Sequence, residues 1–255
     1  MKNRPSILVT NDDGIFAAGI FALWEAMQDI GDVIVVAPDT EKSAVGHAIT
    51  ISDPIRIKKV KSSNGYGGFA VKGTPADCVK IAGQALLNKP PDIVISGINH
   101  GANVGSNIIY SGTVSAATEG TMLNIPSIAI SLNSIKGGNF DSSKKVAKEV
   151  VTAVIKNGLP DGVLLNVNVP NVAPNEIQGY KITKQGNIFF KDRFEKREDP
   201  RGQIYYWMTG EIIDEDSDSK YDGSALHENY ISVTPIHYRL TNESFIPNLK
   251  KWKFQ

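Results

Sequence analysis

Short apolar runs alternate with segments of helical periodicity through the first two thirds of the chain. An apolar run at residues 7–10 precedes apolar positions at helical spacing from Ile20 to Ile30, and Gly31 is a predicted helix stop. A second apolar run follows at residues 32–36. This order predicts a β-strand, an α-helix and a parallel β-strand joined by a right-handed crossover.

The alternation continues to Pro170. Thr74 and Pro75 predict a capped helix that runs to about residue 87. Further helices are predicted to begin with Thr113 as the cap and with Asp141, the second of them stopping at Gly158. Further strands are predicted at residues 92–95, 128–131 and 164–169. Residues 1–170 are therefore predicted to form an α/β domain around a parallel sheet.

The pattern changes after Pro170, where long helical periodicity gives way to short β-like pieces at residues 180–183, 204–207 and 230–233. We predict a smaller, β-rich part over residues 171–255. Residues 211–222 carry six acidic side chains and one lysine, which predicts a solvated, mobile loop. Residues 55–61 alternate apolar and basic side chains, which is typical of a strand with one face in solvent.

Composition restricts the classes of partner. The 255 residues are 41 % hydrophobic and carry 27 basic and 27 acidic side chains, so we expect a soluble globular chain of one or two domains. The zero net charge argues against a stable nucleic-acid complex or a membrane-binding surface. The single cysteine, Cys78, excludes an intrachain disulfide, and no apolar run suits a signal peptide or a spanning helix. We expect a cytoplasmic protein.

Polar clusters follow three of the predicted strands, where open parallel sheets bind their ligands. Adjacent aspartates repel each other unless a cation or a proton offsets the charge, and oxygen-rich clusters suit Mg²⁺ or Mn²⁺. The alternative is an ordinary turn and helix cap, although a cap needs only one carboxylate. The clusters are Asn11-Asp12-Asp13, Asp39 with Glu41 and Ser43, and Ser96-Gly97-Ile98-Asn99-His100.

Small hydroxyl residues and a glycine lie at the start of a predicted helix, at Ser111, Gly112 and Thr113. Their N–H and O–H donors could surround an anion of the size of phosphate. An ordinary threonine cap with glycine in the preceding turn explains the same residues. Neither a Walker loop nor a GxGxxG loop is present, so a nucleoside triphosphatase or a dinucleotide enzyme has little support. Cys78 falls inside a predicted helix and is expected to be a buried apolar residue, not a nucleophile.

Five motifs, in order along the chain, resemble those of the SurE family, the stationary-phase survival proteins. Later segments at residues 166–170, 199–207 and 232–235 are also similar, so the resemblance covers nearly the whole chain. The five motifs are Val9-Thr10-Asn11-Asp12-Asp13-Gly14-Ile15; Ala37-Pro38-Asp39 with Ser43 and Gly46-His47-Ala48-Ile49-Thr50; Gly73-Thr74-Pro75-Ala76-Asp77-Cys78-Val79; Ser96-Gly97-Ile98-Asn99 with Gly101, Asn103 and Gly105; and Tyr110-Ser111-Gly112-Thr113.

The resemblance implies a Rossmann-like, three-layer α/β domain with a mostly parallel sheet and a C-terminal β-rich hairpin extension. It implies that this extension is exchanged between subunits of a homodimer or homotetramer. It also implies divalent-metal-dependent hydrolysis of nucleoside 5′- and 3′-monophosphates and, in some members, of short polyphosphate. The chain departs from the common family pattern at Ala18, Asn107 and Asn229, and Asn107 lies near the predicted phosphate cradle. The implied ligands of one Mg²⁺ or Mn²⁺ per subunit are Asp12, Asp13, Ser43 and Asn99.

We therefore hypothesise a phosphatase in which Asp12 and Asp13 are catalytic and one of them takes the proton of the attacking water. Two alternatives stay open. One is a phosphoaspartyl intermediate, for which the usual pattern is Asp-x-Asp and not adjacent aspartates. The other is a noncatalytic module that senses nucleotides or metal ions. The candidate phosphate and substrate contacts are Asn11, Gly97, Asn99, Ser111, Gly112 and Thr113.

Overall fold

A nine-stranded, mostly parallel β-sheet forms the centre of the chain. The computed structural model describes residues 4–134 and 137–254. The strands are β1 (Ser6–Thr10), β2 (Asp32–Pro38), β3 (Arg56–Lys61), β4 (Gly67–Lys72), β5 (Ile93–His100), β6 (Ser127–Asn133), β7 (Val163–Pro170), β8 (Gly179–Ile182), β9 (Ile188–Glu198), β10 (Ile204–Asp214) and β11 (Tyr230–His237). The sheet order is β3-β4-β2-β1-β5-β6-β7-β11-β8, while β9 and β10 form a separate two-stranded ribbon.

Helices cover both faces of this sheet. The helices are α1 (Ala18–Met27), α2 (Pro75–Ile81), α3 (Gly112–Met122), α4 (Asp141–Asn157), α5 (Asp222–His227) and α6 (Ile246–Leu249). The first four provide this cover, α1 and α4 on one face and α2 and α3 on the other. A π-helical turn, Ala82–Leu86, extends α2, and a 3₁₀ turn, Gly105–Ile109, precedes α3. None of the helices in the described ranges is long and apolar enough to cross a membrane.

The alternation of side chains along β1 explains the three layers. Ile7 and Val9 pack in the cluster that contains residues of α1 and α4, whereas Leu8 packs with residues of α2 and α3. Successive side chains of a strand point to opposite faces, so a continuously apolar strand needs a cover on both sides. All three side chains are fully buried, and each stabilises the fold by about 1.5–3 kcal/mol relative to an exposed position. The predicted Rossmann-like α/β architecture is confirmed.

Two predicted helix ends are wrong in detail. Ser111, not Thr113, caps α3, because the Ser111 hydroxyl accepts the backbone N–H of Val114. Gly31 does not terminate α1 in a left-handed conformation, since α1 ends at Met27. Gly31 is needed for close packing, because a β-carbon there would lie 2.3 Å from the carbonyl oxygen of Pro5. Gly158, by contrast, has a φ of 73° and caps α4 as predicted.

The C-terminal part contributes to both sheets. Strand β11 pairs antiparallel with β7 and parallel with β8, and it thereby extends the central sheet. Strands β9 and β10 pair antiparallel over eleven residues each and form the separate ribbon. The prediction of a solvated loop over residues 211–222 is wrong at both ends. Its first residues, to Asp214, belong to β10, and its last, Asp222, is fully buried at the start of α5.

Candidate active site

The turn after β1 lies at the carboxyl edge of the sheet, between the loops that follow β2 and β5. The Asn11 side chain closes this turn by donating a 2.9 Å hydrogen bond to the carbonyl oxygen of Gly14. Gly14 has a φ of 97°, and a β-carbon there would lie 3.2 Å from the Thr40 carbonyl carbon. Glycine therefore allows the turn after β1 to pack against the loop after β2.

Asp12 is the most enclosed acid of this turn, with 6 % of its surface exposed. Its Oδ1 accepts a 2.6 Å hydrogen bond from the Thr113 hydroxyl at the beginning of α3. Burial raises the pKa of Asp12 to about 6, the Thr113 bond opposes this shift, and the charge of Asp13 adds to it. A β-carbon at Gly112 would lie 2.7 Å from the β-carbon of Asp12, so glycine lets α3 approach this closely.

Asp13 is half-buried beside Asp12. Burial raises the pKa of Asp13, His100 opposes the shift, and Glu41 adds to it. Within the described residues, Oδ2 of Asp13 and Oδ1 of Asn11 are buried without a hydrogen-bond partner. Two neighbouring carboxylates with raised pKa values and two buried oxygens without donors together form an environment that favours a bound cation.

Asn99 reaches the same edge from the end of β5. Its amide nitrogen donates to the carbonyl oxygens of His100 and Gly101, at 3.0 and 2.8 Å, which leaves the amide oxygen for another partner. The pairing of β5 with β6 shifts register between Ser96 and Asn99. Gly97 permits this irregularity, because a β-carbon there would lie 2.2 Å from the Ile130 carbonyl oxygen.

The loop after β2 brings Ser43 toward Asp12. The neighbouring Lys42 backbone N–H donates a 2.7 Å hydrogen bond to the carbonyl oxygen of Asp12. The Ser43 hydroxyl itself donates to a carboxylate oxygen of Glu41 at 2.6 Å. The structure thus places the Ser43 segment against the turn after β1, and the hydroxyl oxygen of Ser43 retains lone pairs for a further ligand.

The hydroxyls at the beginning of α3 have structural partners. Ser111 accepts the backbone N–H of Val114, and Thr113 donates to Asp12. The helix amino terminus therefore directs its partial positive charge toward Asp12 and the space beside it. Thr113 also supports the carboxylate directly, a role that the sequence analysis did not assign to it.

A buried asparagine network, which the sequence analysis missed, fixes the loop after β5. The backbone N–H of Asn103 donates to Oδ1 of Asn168 at 2.8 Å, and its side chain donates to Ser131 at 2.8 Å. The side chain of Asn166 donates back to the Asn103 carbonyl oxygen at 2.8 Å. In the sequence, two asparagines at alternate positions of the otherwise apolar strand β7 are the feature that indicates this network.

A second buried polar group, Asp222, accepts backbone N–H groups of Gly105, Gly186 and Gly223.

Cys78 is not part of the site. It is fully buried in α2, as predicted, and burial raises the pKa of its thiol well above the ordinary value. A thiol of this kind is a poor nucleophile. The chemistry at the carboxyl edge of the sheet therefore belongs to oxygen and nitrogen groups.

The donor set at this edge fits a hard divalent cation. Over residues 4–134 and 137–254, no three His, Cys, Asp or Glu side chains cluster in a way that would hold a metal ion. A cation here must therefore draw on the two carboxylates and on amide and hydroxyl oxygens, which Mg²⁺ and Mn²⁺ accept. The groups that could supply them are Asp12, Asp13, Ser43 and Asn99.

Comparisons with known proteins agree with this reading of the fold. The family model described as "Survival protein SurE" matches residues 7–192. The 5′-nucleotidase SurE of Syntrophobacter fumaroxidans is 51 % identical over 246 residues, covering 96 % of this chain and 98 % of that protein. The protein of the same name from Christiangramia forsetii is 48 % identical over 254 residues, covering 98 % of each. The crystal structure of the SurE protein from Aquifex aeolicus superposes with a TM-score of 0.85 at 42 % identity, covering 96 % of this chain and 98 % of that one.

Proposed function

Because the chain belongs to the SurE family, we propose that it is a divalent-metal-dependent phosphatase that hydrolyses nucleoside 5′-monophosphates to nucleoside and phosphate. It is a 5′-nucleotidase, as its curated relatives are named. The observation that supports the metal dependence is the buried pair Asp12 and Asp13. Their pKa values are raised mainly by burial, and Oδ2 of Asp13 is buried without a hydrogen-bond partner among the described residues.

The residues that would hold the cation are Asp12, Asp13, Ser43 and Asn99. When bound, a divalent cation supplies Lewis-acid stabilisation of the phosphate oxygens and lowers the pKa of a bound water. All four groups offer oxygen ligands, which suits Mg²⁺ or Mn²⁺. One ion per subunit is the stoichiometry that this set of side chains can support.

The protein's own groups then orient the reactants. Thr113 holds Oδ1 of Asp12 through its hydroxyl, so the carboxylate has a fixed direction at the edge of the sheet. Asp12 or Asp13 accepts the proton of the attacking water, since both carboxylates directly follow β1 at this edge of the sheet. The turn at Asn11 and the backbone N–H groups at the beginning of α3 face the developing charge on the phosphate.

The remaining phosphate contacts are assigned to residues that border the site. Gly97 and Asn99 border the site from β5, and Ser111 and Gly112 border it from α3. We assign their backbone groups and the Asn99 amide to substrate contacts. The same site suits nucleoside 3′-monophosphates and short polyphosphate, because each presents a terminal phosphate of the same size and charge.

The ribbon of β9 and β10 supports self-association into a homodimer or homotetramer. Phe194 pairs with Met208, and Lys196 pairs with Tyr206, so these side chains share one face of the ribbon. Phe194, Met208 and Tyr206 are all exposed. An exposed apolar face on an extended ribbon is typical of a protein interface.

The single buried cysteine, Cys78, suits a reducing compartment, and we propose a cytoplasmic location.

One assay tests the proposed function. Phosphate release is measured from a panel of nucleoside 5′- and 3′-monophosphates, tripolyphosphate and p-nitrophenyl phosphate, with Mg²⁺, with Mn²⁺ or with a chelator. We expect metal-dependent release from the 5′-monophosphates, with loss of activity in the chelator. Nucleotide binding without release under every metal would favour the sensing module, and recovery of phosphate covalently bound to Asp12 or Asp13 would favour the phosphoaspartyl route.

A further inference from the structure

The loop between β2 and β3, residues 39–55, has no helix or strand of its own but is attached to the domain at several points. The Lys42 N–H donates to the Asp12 carbonyl oxygen at 2.7 Å, and the Gly46 N–H donates to the Tyr110 carbonyl oxygen at 3.0 Å. Ala44 and Gly46 have φ values of 55° and 56°, which turn the chain between these two attachments. The loop thus crosses from the end of β1 to the beginning of α3.

The next attachment is a hydrogen-bonding contact between a side chain of the loop and a carboxylate of α3. Nε2 of His47 lies 2.9 Å from Oε2 of Glu119, a carboxylate that is only 2 % exposed. The other oxygen of Glu119 accepts from Nζ of Lys80 on α2, at 2.6 Å. Burial raises the pKa of Glu119, and the bonds from His47 and Lys80 more than offset this, so that the net shift is downward.

The last attachment fixes the far end of the loop to α2. The backbone N–H of Thr50 donates to Oδ1 of Asp77 at 3.0 Å, and its hydroxyl donates to Oδ2 at 2.6 Å. Asp77 also completes the capping box of α2 with Thr74. Ser43 therefore lies in a short segment that is fixed at Lys42 on one side and at the adjoining residues Gly46 and His47 on the other.

We propose that His47, bonded to Glu119, is a positioning residue that holds the loop segment carrying Ser43 against the turn that carries Asp12 and Asp13, and so sets the affinity for a divalent cation. The inference rests on the proposed function, because it concerns the cation that function requires. The His47 side chain bonds to Glu119, which is not among the proposed ligands. His47 lies four residues after Ser43 in the chain, so its effect on Ser43 passes through the backbone of the loop.

The chain offers a matched control for this role. Lys80 and His47 bind the two oxygens of the same buried carboxylate, but only His47 belongs to the loop. Removing either donor weakens the support of Glu119, which costs stability in both cases. Only removal of the His47 side chain breaks an attachment of the loop that carries Ser43. A purely structural role predicts equal effects of the two changes on cation binding.

The experiment is a calorimetric titration of the metal-free full chain with Mn²⁺, for the wild type, His47→Ala, His47→Asn, His47→Gln and Lys80→Ala. We expect the Kd for Mn²⁺ to rise about tenfold in His47→Ala, the scale for residues that orient metal ligands. His47→Asn, whose amide is too short to reach Glu119, behaves the same. His47→Gln, whose amide nitrogen reaches the position of Nε2, restores most of the affinity, and Lys80→Ala retains the wild-type affinity.

A double-mutant cycle tests whether the effect of His47 on Mn²⁺ affinity depends on Ser43. In a Ser43→Ala background, His47→Ala should add little further loss of Mn²⁺ affinity, because the ligand that His47 positions is already gone. Full additivity, an unchanged Kd in both His47→Ala and His47→Asn, or an equal loss in Lys80→Ala would each overturn the proposal. A wild-type chain that binds no Mn²⁺ would instead overturn the proposed metal dependence.

Discussion

The Thr113 hydroxyl donates a 2.6 Å hydrogen bond to Oδ1 of Asp12, joining residues 101 positions apart in the chain. This bond connects the turn after β1 to the first turn of α3, and both groups are buried. It opposes the rise in the pKa of Asp12 that burial causes. The orientation of the acid therefore depends on a side chain that belongs to a different element of the fold.

Thr113→Val keeps the shape of the side chain but removes this donor. We expect kcat/KM for a nucleoside 5′-monophosphate to fall by about tenfold or more, because the Asp12 carboxylate loses its orientation and an unpaired oxygen stays buried. Thr118→Val is the matched control, since the Thr118 hydroxyl donates to the carbonyl oxygen of Val114 within α3 itself. Steady-state kinetics with saturating Mn²⁺ measure both variants. Equal losses in the two would contradict a specific role for the Thr113 bond.

Asp12→Asn removes the charge at the centre of the site. The asparagine oxygen can still accept from Thr113, so we expect the fold to persist, with a circular dichroism spectrum and a melting temperature close to those of the wild type. Hydrolysis should fall by about 10²–10⁴-fold, the range for loss of a proton-transfer group. Near-normal phosphate release by this variant with metal present would refute the proposed chemistry.

Gly112→Ala tests the close approach of α3 to Asp12. The added β-carbon would lie 2.7 Å from the β-carbon of Asp12 and 3.2 Å from a ring carbon of Pro75. We expect a loss of about 1–3 kcal/mol in the free energy of unfolding, and reduced activity because Asp12 must move. Gly83→Ala is the control, since its β-carbon would meet only a Leu123 methyl at 3.6 Å. Urea unfolding compares the two, and a Gly112→Ala variant as stable and active as Gly83→Ala would disprove the constraint.

Asp77 makes part of the stability depend on pH. Burial raises its pKa, but the bonds from Thr50 and Thr74 outweigh burial, and the net shift is downward. A carboxylate with a lowered pKa stabilises the fold above its unfolded pKa of 3.8, and this contribution is lost as the pH falls through the folded value. Asp77→Asn should therefore be less stable than the wild type at pH 7, by about 1–3 kcal/mol.

The difference between Asp77→Asn and the wild type should shrink when urea unfolding is repeated at pH 3 to 4, because the wild-type carboxyl group is then being protonated. Asp141→Asn serves as the exposed comparison, since its carboxylate lies on the surface and pairs with Lys144. It should change stability little at either pH. A difference for Asp77→Asn that is constant from pH 7 to pH 3 would contradict the linkage.

Much of the sheet and the two aspartates could be predicted from the sequence. Buried parallel strands such as β1 are continuously apolar, and Asp12 and Asp13 follow β1 directly, so local pattern and position were sufficient. The cap of α3 could not be assigned, because Ser111 and Thr113 are both good caps. The geometry of the helix start decides between them.

Contacts between residues far apart in the chain could not be predicted from the local sequence. The Asn103 network joins three strand and loop segments, and no local rule pairs Asn103 with Asn168, 65 residues away. Asp222 lies in an acidic stretch that composition marks as solvated, yet backbone N–H groups from three glycines surround it. After Phe190, strand β9 is mostly charged and exposed, and it belongs to a ribbon outside the central sheet, so no buried face gives it a pattern.

The position of β11 has a consequence for the order of events during biosynthesis. Because β11 lies between β7 and β8, the edge of β7 has no partner until residues 230–237 have been made. At about 5–20 residues per second, the ribosome needs on the order of ten seconds to pass from Pro170 to that segment. During this interval the nascent domain exposes an unpaired strand, which is a template for association with other chains. Ribosome-bound chains arrested between β7 and β11 should therefore depend on chaperones more than the released protein does.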